Sequence, residues 1–398
     1  MRISARLLRQ TSYTAVLLII TSTLTAQQAA MHPDPYLSLM TAARTHAFAH
    51  GVKVAPVLSP EESSLLGDHP ELNVAALHKA GFRLVPWTTN DPEKMRALVA
   101  QRVDGIISDR PDLLQSVLKE EAAAHPSEAA YFAGFDVTAH RGGRGLRPEN
   151  TLPSFESGLD QLSNTLETDT GVTTDHVSLI WHDQFLNPQS CRRADGAPYT
   201  LENRVYIRDI SLAEAQSTFI CDKLHSAQFP DQKNDLSLSP VAVAFAAHEH
   251  LISPYVPTHA EQLFHFVAFY VDFYRTGPGK SNPNAAARAA NAAKVRFNIE
   301  TKILPLPNDP AGKSVANLPV PSHGEPSTNH TVDPQTFVTT LCGAIQRNHM
   351  ESRAEVQSFD FRTLILVEEQ FPKIPTYYLT SSAKMLSSPF VPAPLRQP

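Results

Sequence analysis

Apolar positions along the chain fall into short runs that alternate with longer stretches of helical spacing. Pro35–His50 reads as a helix and Val52–Val57 as a strand. Pro70–Ala80 is a second helix, closed by Gly81 at the position where a left-handed residue ends a helix. Arg83–Trp87 is a strand that runs into Thr88-Thr89-Asn90, and Asp91-Pro92 caps a helix to about Gln101. Val103–Asp109 is the next strand and Leu113–Ala124 the next helix. The alternation continues with strands at Val137–Ala139, Leu166–Asp169, Val295–Lys302, Glu355–Asp360 and Pro375–Leu379. Helices fall at Pro153–Leu162, Thr258–Tyr274 and, from the Asp333-Pro334 cap, to about Asn348, while Pro278–Lys294 runs from a loop into an alanine-rich helix. Short strands alternating with helices of about 10–15 residues predict a parallel sheet or barrel.

One segment breaks the rule. Val177–Trp181 follows the Leu166–Asp169 strand after only about seven residues, and a parallel crossover needs a dozen or more. It is therefore an antiparallel hairpin arm, and it folds His182-Asp183 back to the level of Glu167 and Asp169. Those two carboxylates lie two apart on a strand and so face the same way. Side by side they repel unless a cation or a shared proton holds them. Glu300 and Lys302 likewise share one face of their strand. Val137–Ala139 delivers His140 and Arg141 to a Gly142-Gly143 turn, where glycine permits a sharp bend or close approach of a ligand. Residues 187–257 read as irregular, 304–329 as a proline-rich loop and 381–398 as a mobile tail.

Composition narrows the class. The chain has 398 residues, 42% hydrophobic and 19% charged, with 34 basic and 40 acidic side chains and a formal charge of −6. No basic block stands out, which argues against nucleic acid as a partner. Arg2, Arg6 and Arg9 precede an apolar core opening at Ala15–Ile20, and Thr25-Ala26 offers a small-residue cleavage site. Residues 1–26 thus read as a signal peptide of an exported protein, periplasmic or extracellular, with an uncleaved anchor as the alternative. In that compartment Cys191 and Cys221 are expected to form a disulfide, which leaves Cys342 as a buried thiol.

His140-Arg141-Gly142, Glu149-Asn150-Thr151, Glu167-x-Asp169, His182-Asp183 and Glu300-x-Lys302, in this order, resemble the glycerophosphodiester phosphodiesterase family. Ser358-Phe359 matches a further strand of it, and the similarity covers roughly residues 137–380. The resemblance implies a (β/α)8 TIM barrel with the His-Asp arm over its C-terminal rim. It implies hydrolysis of glycerophosphodiesters to glycerol 3-phosphate and an alcohol. Glu167, Asp169 and Glu300 would bind a divalent cation, and three carboxylates suit a hard ion such as Ca2+ or Mg2+. His140 and His182 would be the acid/base pair. Arg141 and Lys302 would meet the phosphate, with Trp87 beside them on the substrate.

The motifs depart from the family in order. Trp87-Thr88-Thr89-Asn90 and Asp104-Gly-Ile-Ile-Ser-Asp109 resemble the family's last strands, yet they stand at the front. The expectation is a circularly permuted barrel. Residues 33–122 would supply its last three strand-helix units, and residues 137–380 its first five strands and catalytic core. The substrate would be a small glycerophosphodiester, with no nucleic acid partner and no stable membrane insertion once the signal is removed. Two other readings stay open: a sphingomyelinase-D-like or other lipid phosphodiesterase on the same barrel, and an inactive binding barrel.

Overall fold

Ten short strands form among the described residues, eight in one sheet and two in a small ladder of their own. In a computed structural model, residues 34–67, 69–303, 329–386 and 391–396 are described. The expected signal peptide and nearly all of the 304–329 loop lie outside them. The strands are β1 (Val57–Pro60), β2 (Gly105–Ser108), β3 (Asp136–Ala139), β4 (Thr165–Val172), β5 (Ser178–Ile180), β6 (Arg192–Arg193), β7 (Phe219–Ile220), β8 (Arg296–Thr301), β9 (Ala354–Ser358) and β10 (Thr376–Thr380). Parallel pairing runs β1-β10-β9-β8-β4-β3-β2, and β5 pairs antiparallel with β4 as the short connection requires.

Residues 83–89 close the ring. The Leu58 amide donates to the Arg83 carbonyl (3.0 Å), and the Val85 amide donates back to Leu58 (3.0 Å). On the other side Asp104 donates to Leu84 (2.8 Å) and Ile107 to Pro86 (2.9 Å). Pro86 has no amide hydrogen, so this stave makes only isolated bridges with β1 rather than a regular strand. With it the sheet is a closed (β/α)8 barrel that leaves no open edge.

Alternation along the strands divides the barrel interior. Val57, Val85, Ile107 and Tyr377 form an apolar patch inside, flanked by Trp87. The opposite wall is polar. There Arg296 reaches Asp136 and donates to Thr165 (3.0 Å), and Gln357 donates to Glu167 (2.7 Å). Gly105 makes room for this wall, since a Cβ there would lie 2.5 Å from that of Asp136.

Several boundaries differ from expectation. The first strand forms at Val57–Pro60, not Val52–Val57, because Gly51 at φ +90° ends the preceding helix and the Val52 amide folds back to Ala47 (3.1 Å). The second helix is shorter, Val74–Lys79, since the Asn73 side chain accepts from the Ala76 amide (3.0 Å) and starts it there. Residues 187–257 are more ordered than expected. They hold helices Leu212–Thr218 and Pro240–His248, the β6–β7 ladder and the Cys191–Cys221 disulfide. Cys342 is a buried free thiol.

The described residues of the expected mobile tail pack. Met385, Val391 and Leu395 are buried in the same core as Tyr36 and Met40 of the helix Pro35–Ala49. That helix lies against Phe361–Gln370, where His46 meets Glu368 (2.8 Å), and against the Val74–Lys79 turn, where Arg44 donates to the Ala80 carbonyl. It fills the outer ring between β10 and β1. No helix among the described residues is long and apolar enough to cross a membrane.

Candidate active site

The C-terminal ends of the strands bring the predicted residues to one mouth of the barrel, where such folds carry their chemistry. β3 ends in the turn His140–Gly142, with Arg141 at φ +50° and Gly142 at φ +82°. A Cβ on Gly142 would sit 2.6 Å from the Ser154 backbone, so glycine is what lets the turn lie on the helix Leu152–Asp160. The left-handed Arg141 is secured on both sides. Its amide donates to Glu167 Oε2 (2.9 Å), and its carbonyl accepts from Ser154 Oγ (2.7 Å).

Glu167 and Asp169 point inward from β4, and Asp169 stands in register with Glu300 on β8. All three are buried, and one carboxylate oxygen from each lies within 4.8 Å of the others. Their charges are not alike. Burial, reinforced by Asp169, pushes the Glu167 carboxyl well up. Burial also raises Glu300, against the pull of Lys302. Burial would raise Asp169 too, but Arg141, His182 and Lys302 outweigh it and hold Asp169 low. Buried carboxylates kept this close call for positive charge, and an all-oxygen set suits a hard divalent cation. The residues present fit such an ion.

The two predicted cations both lie here. Arg141 Nη1 donates to Glu149 (2.9 Å) and Nε is 3.1 Å from Asp169. Lys302 Nζ donates to Glu300 (3.2 Å) and stands 3.9 Å from Asp169. Trp87 donates through its indole nitrogen to the Ser59 carbonyl (3.0 Å) and meets Phe359 edge-on at 5.4 Å. Lys302 Nζ is 5.9 Å from the centre of the same Phe359 ring, so Trp87 and Lys302 flank one aromatic wall.

His140 Nδ1 lies 2.5 Å from Asp109 Oδ1, and its Nε2 lies 3.8 Å from Glu167. Burial, aided by Arg144 and Arg141 against the pull of Asp109, lowers the imidazole to about 4. The ring is then neutral near pH 7, and the bond to Asp109 assigns its proton to Nδ1. Nε2 is left as a base facing the carboxylates. His182 follows the β5 arm, with Nδ1 2.7 Å from Asp183, whose other oxygen accepts from Asn187 (2.6 Å). The arm is backed by a separate small core that includes Leu179, Trp181, Phe219 and the two bridged cysteines. The region 187–257 therefore fixes where His182 stands.

Sequence reasoning missed several members. Asp109 received no role, although an acidic residue at the end of a buried strand, facing as Gly105 and Ile107 do, was the available signal. Burial pushes Asp109 up, but Arg144 and His140 together outweigh it and hold it well below the usual carboxylate range. Glu149 and Asn150 stand in the sequence as part of a motif without a role of their own. Glu149 joins Arg141 to Arg144 (3.2 Å), and Asn150 donates to Asp169 (3.0 Å) while accepting from Thr168 (2.9 Å). Gln357 carried no signal, because its reach to Glu167 spans three strands.

Comparison with known proteins places the chain in a family. The model of the glycerophosphoryl diester phosphodiesterase family matches residues 5–113 and 140–274. The chain is 43% identical over 54 residues to mouse lysophospholipase D GDPD3, covering 14% of this chain and 16% of that one. It is 37% identical over 83 residues to a glycerophosphodiester phosphodiesterase of Haemophilus influenzae, covering 20% and 22%. A probable glycerophosphodiester phosphodiesterase 2 of Mycobacterium tuberculosis is 43% identical over 58 residues, covering 14% of this chain and 22% of that one. The matched stretches thus span between 16% and 22% of these relatives' lengths. Among solved structures, a putative glycerophosphoryl diester phosphodiesterase of Silicibacter pomeroyi aligns with a TM-score of 0.39 and 22% identity, over 61% of this chain and 63% of that one.

Proposed function

Since the chain belongs to the glycerophosphoryl diester phosphodiesterase family, we propose that it hydrolyses glycerophosphodiesters to glycerol 3-phosphate and an alcohol, with a divalent cation, Ca2+ or Mg2+, held by Glu167, Asp169 and Glu300. The observation that carries this reading is His140 standing beside three buried carboxylates with its Nδ1 held by Asp109. When bound, the cation would polarise a phosphoryl oxygen.

The side chains supply the rest. His140 Nε2 takes a proton from the attacking water as its oxygen bonds to phosphorus. His182, oriented by Asp183, gives a proton to the alcohol oxygen as the old P–O bond breaks. Arg141 and Lys302 offset the charge on the phosphoryl oxygens. Trp87 and Phe359 offer an apolar wall to the carbon chain of the substrate.

The same reading makes the protein an exported enzyme, supported by the basic and apolar start of the chain and the Cys191–Cys221 bridge. It also takes residues 33–122 as the family's last three barrel units moved to the front. Purified protein should release glycerol 3-phosphate from glycerophosphocholine and glycerophosphoethanolamine, and chelator should stop it. Turnover of lysophosphatidylcholine or sphingomyelin in preference would move the protein to the lipid phosphodiesterases. No turnover of any of these with Ca2+ or Mg2+ present would leave a binding barrel.

A further inference from the structure

A second cluster of metal-ligating groups lies outside the barrel mouth, between the helix Pro35–Ala49 and the helix Phe361–Gln370. His46 and His50 are four residues apart, which puts them on one helix face with ring centres 4.4 Å apart. Glu369 projects toward them from the other helix. One ligand atom from each of His46, His50 and Glu369 lies within 4.8 Å of the others.

The second nitrogens of both rings are already engaged. His46 Nδ1 bonds to Glu368 Oε2 at 2.8 Å, and that carboxylate is fully buried. Thr376 and Tyr378 donate to its other oxygen, at 2.8 and 2.9 Å. His50 Nδ1 bonds to the His46 carbonyl at 2.9 Å. A carboxylate or a backbone carbonyl on Nδ1 is how proteins orient a histidine that ligates metal through Nε2. His46 Nε2 stands 3.3 Å from Glu369 Oε1. Two ligands each about 2.0–2.1 Å from a tetrahedral zinc are separated by about 3.3 Å. The exposed His50 ring supplies the third ligand atom, within 4.8 Å of the other two.

We propose that His46, His50 and Glu369 form a transition-metal site of the zinc type, with Glu368 orienting His46, and that the bound ion fastens the helix Pro35–Ala49 to the helix Phe361–Gln370. Two imidazoles and one carboxylate favour Zn2+ over Ca2+ or Mg2+, whereas the three-carboxylate cluster favours the reverse. With three protein ligands the ion keeps a position for water. The site stands apart from the barrel mouth, so its failure would leave the proposed hydrolysis untouched.

The test uses the full chain, stripped with chelator and held in excess Mg2+ so that the carboxylate cluster is occupied. Zinc is then titrated, and bound metal per chain and melting temperature are read. One zinc per chain is expected, with a rise of several degrees in Tm. His50→Ala and Glu369→Gln, both at exposed positions, should weaken zinc at least tenfold, and Glu167→Gln should leave it unchanged. Cobalt in place of zinc should give visible absorption that His50→Ala removes. Equal zinc binding by wild type and His50→Ala would overturn the site. So would the absence of zinc binding at 0.1 mM, a result that makes His46, Glu368 and Glu369 an ion-pair network only.

Discussion

Asp109 Oδ1 lies 2.5 Å from Nδ1 of His140, although 31 residues separate them and they end two different strands. The same oxygen accepts from Arg144 Nε (2.7 Å), and Oδ2 accepts from Asn90 (2.7 Å). Asp109 is thus clamped from three sides, and it holds the His140 ring with Nε2 toward the carboxylates. The front third of the chain supplies the orienting group for a histidine of the body.

Asp109→Asn should therefore act on turnover rather than binding. An asparagine can donate to Nδ1 and favour the wrong tautomer, so kcat should fall by about 100- to 1000-fold with KM nearly unchanged. Steady-state kinetics on glycerophosphocholine check this. A rise in KM at constant kcat would assign Asp109 to substrate binding instead.

Glu300→Gln separates charge repulsion from metal binding. Without metal, Glu300 and Glu167 are both raised by burial and by Asp169. Removing one charge should raise stability in chelator by about 1 kcal/mol. In excess Ca2+ the order should reverse, because wild type gains from the ion and the variant gains less. Melting curves with and without Ca2+ decide it, and His182→Ala should keep the calcium-induced shift while losing turnover.

Glu355 predicts a pH slope in stability. Burial, only partly offset by Arg296, lifts its carboxyl from 4.5 to about 7. A raised value means the fold holds the proton more tightly than the unfolded chain. That contribution is whole below about pH 4.5 and is lost as pH rises through about 7. Glu355→Gln should flatten the slope across this window and stabilise the protein above it, by up to roughly 3 kcal/mol. Urea titrations at pH 5 and pH 8 should show the variant near wild type at the lower pH and clearly more stable at the higher.

Removing the disulfide should loosen the arm that carries His182. Cys191 and Cys221 are 30 residues apart, and closing such a loop is worth roughly 3–4 kcal/mol in the chain-entropy model. Cys191→Ala with Cys221→Ala should lower stability by that order and reduce kcat. Loss of stability with unchanged kcat would show that the small core holds the arm without the bridge.

The packed C-terminal turns make a rearranged chain feasible. Val391 and Leu395 share a core with Tyr36 of the first described helix. Joining residue 396 to residue 34 through a short linker, and opening the chain between residues 124 and 136, should give a soluble protein with activity within about tenfold of wild type. Deleting 34–122 should instead give an insoluble one, since it removes β1, the 83–89 stave and β2 and opens two sheet edges.

The strands and the motifs of the candidate site were legible in the sequence because their information is local. Period-two spacing put Glu167 with Asp169 and Glu300 with Lys302, and the short connection forced the β5 arm antiparallel. Turn chemistry around Gly142 marked the strand end that carries His140 and Arg141. What tertiary structure decided is which of these face each other. Asp109 reaches His140, Gln357 reaches Glu167 and His46 reaches Glu368 only because the barrel closes, and closure depends on pairings across hundreds of residues. The charge states were decided there as well. Asp169 and Glu167 are near neighbours with the same chemistry, yet one is held ionised and the other pushed toward its proton, because Arg141 and Lys302 lie against Asp169 while burial dominates at Glu167. Spacing along a strand sets a direction for a side chain, but its surroundings come from strands that the local pattern does not see.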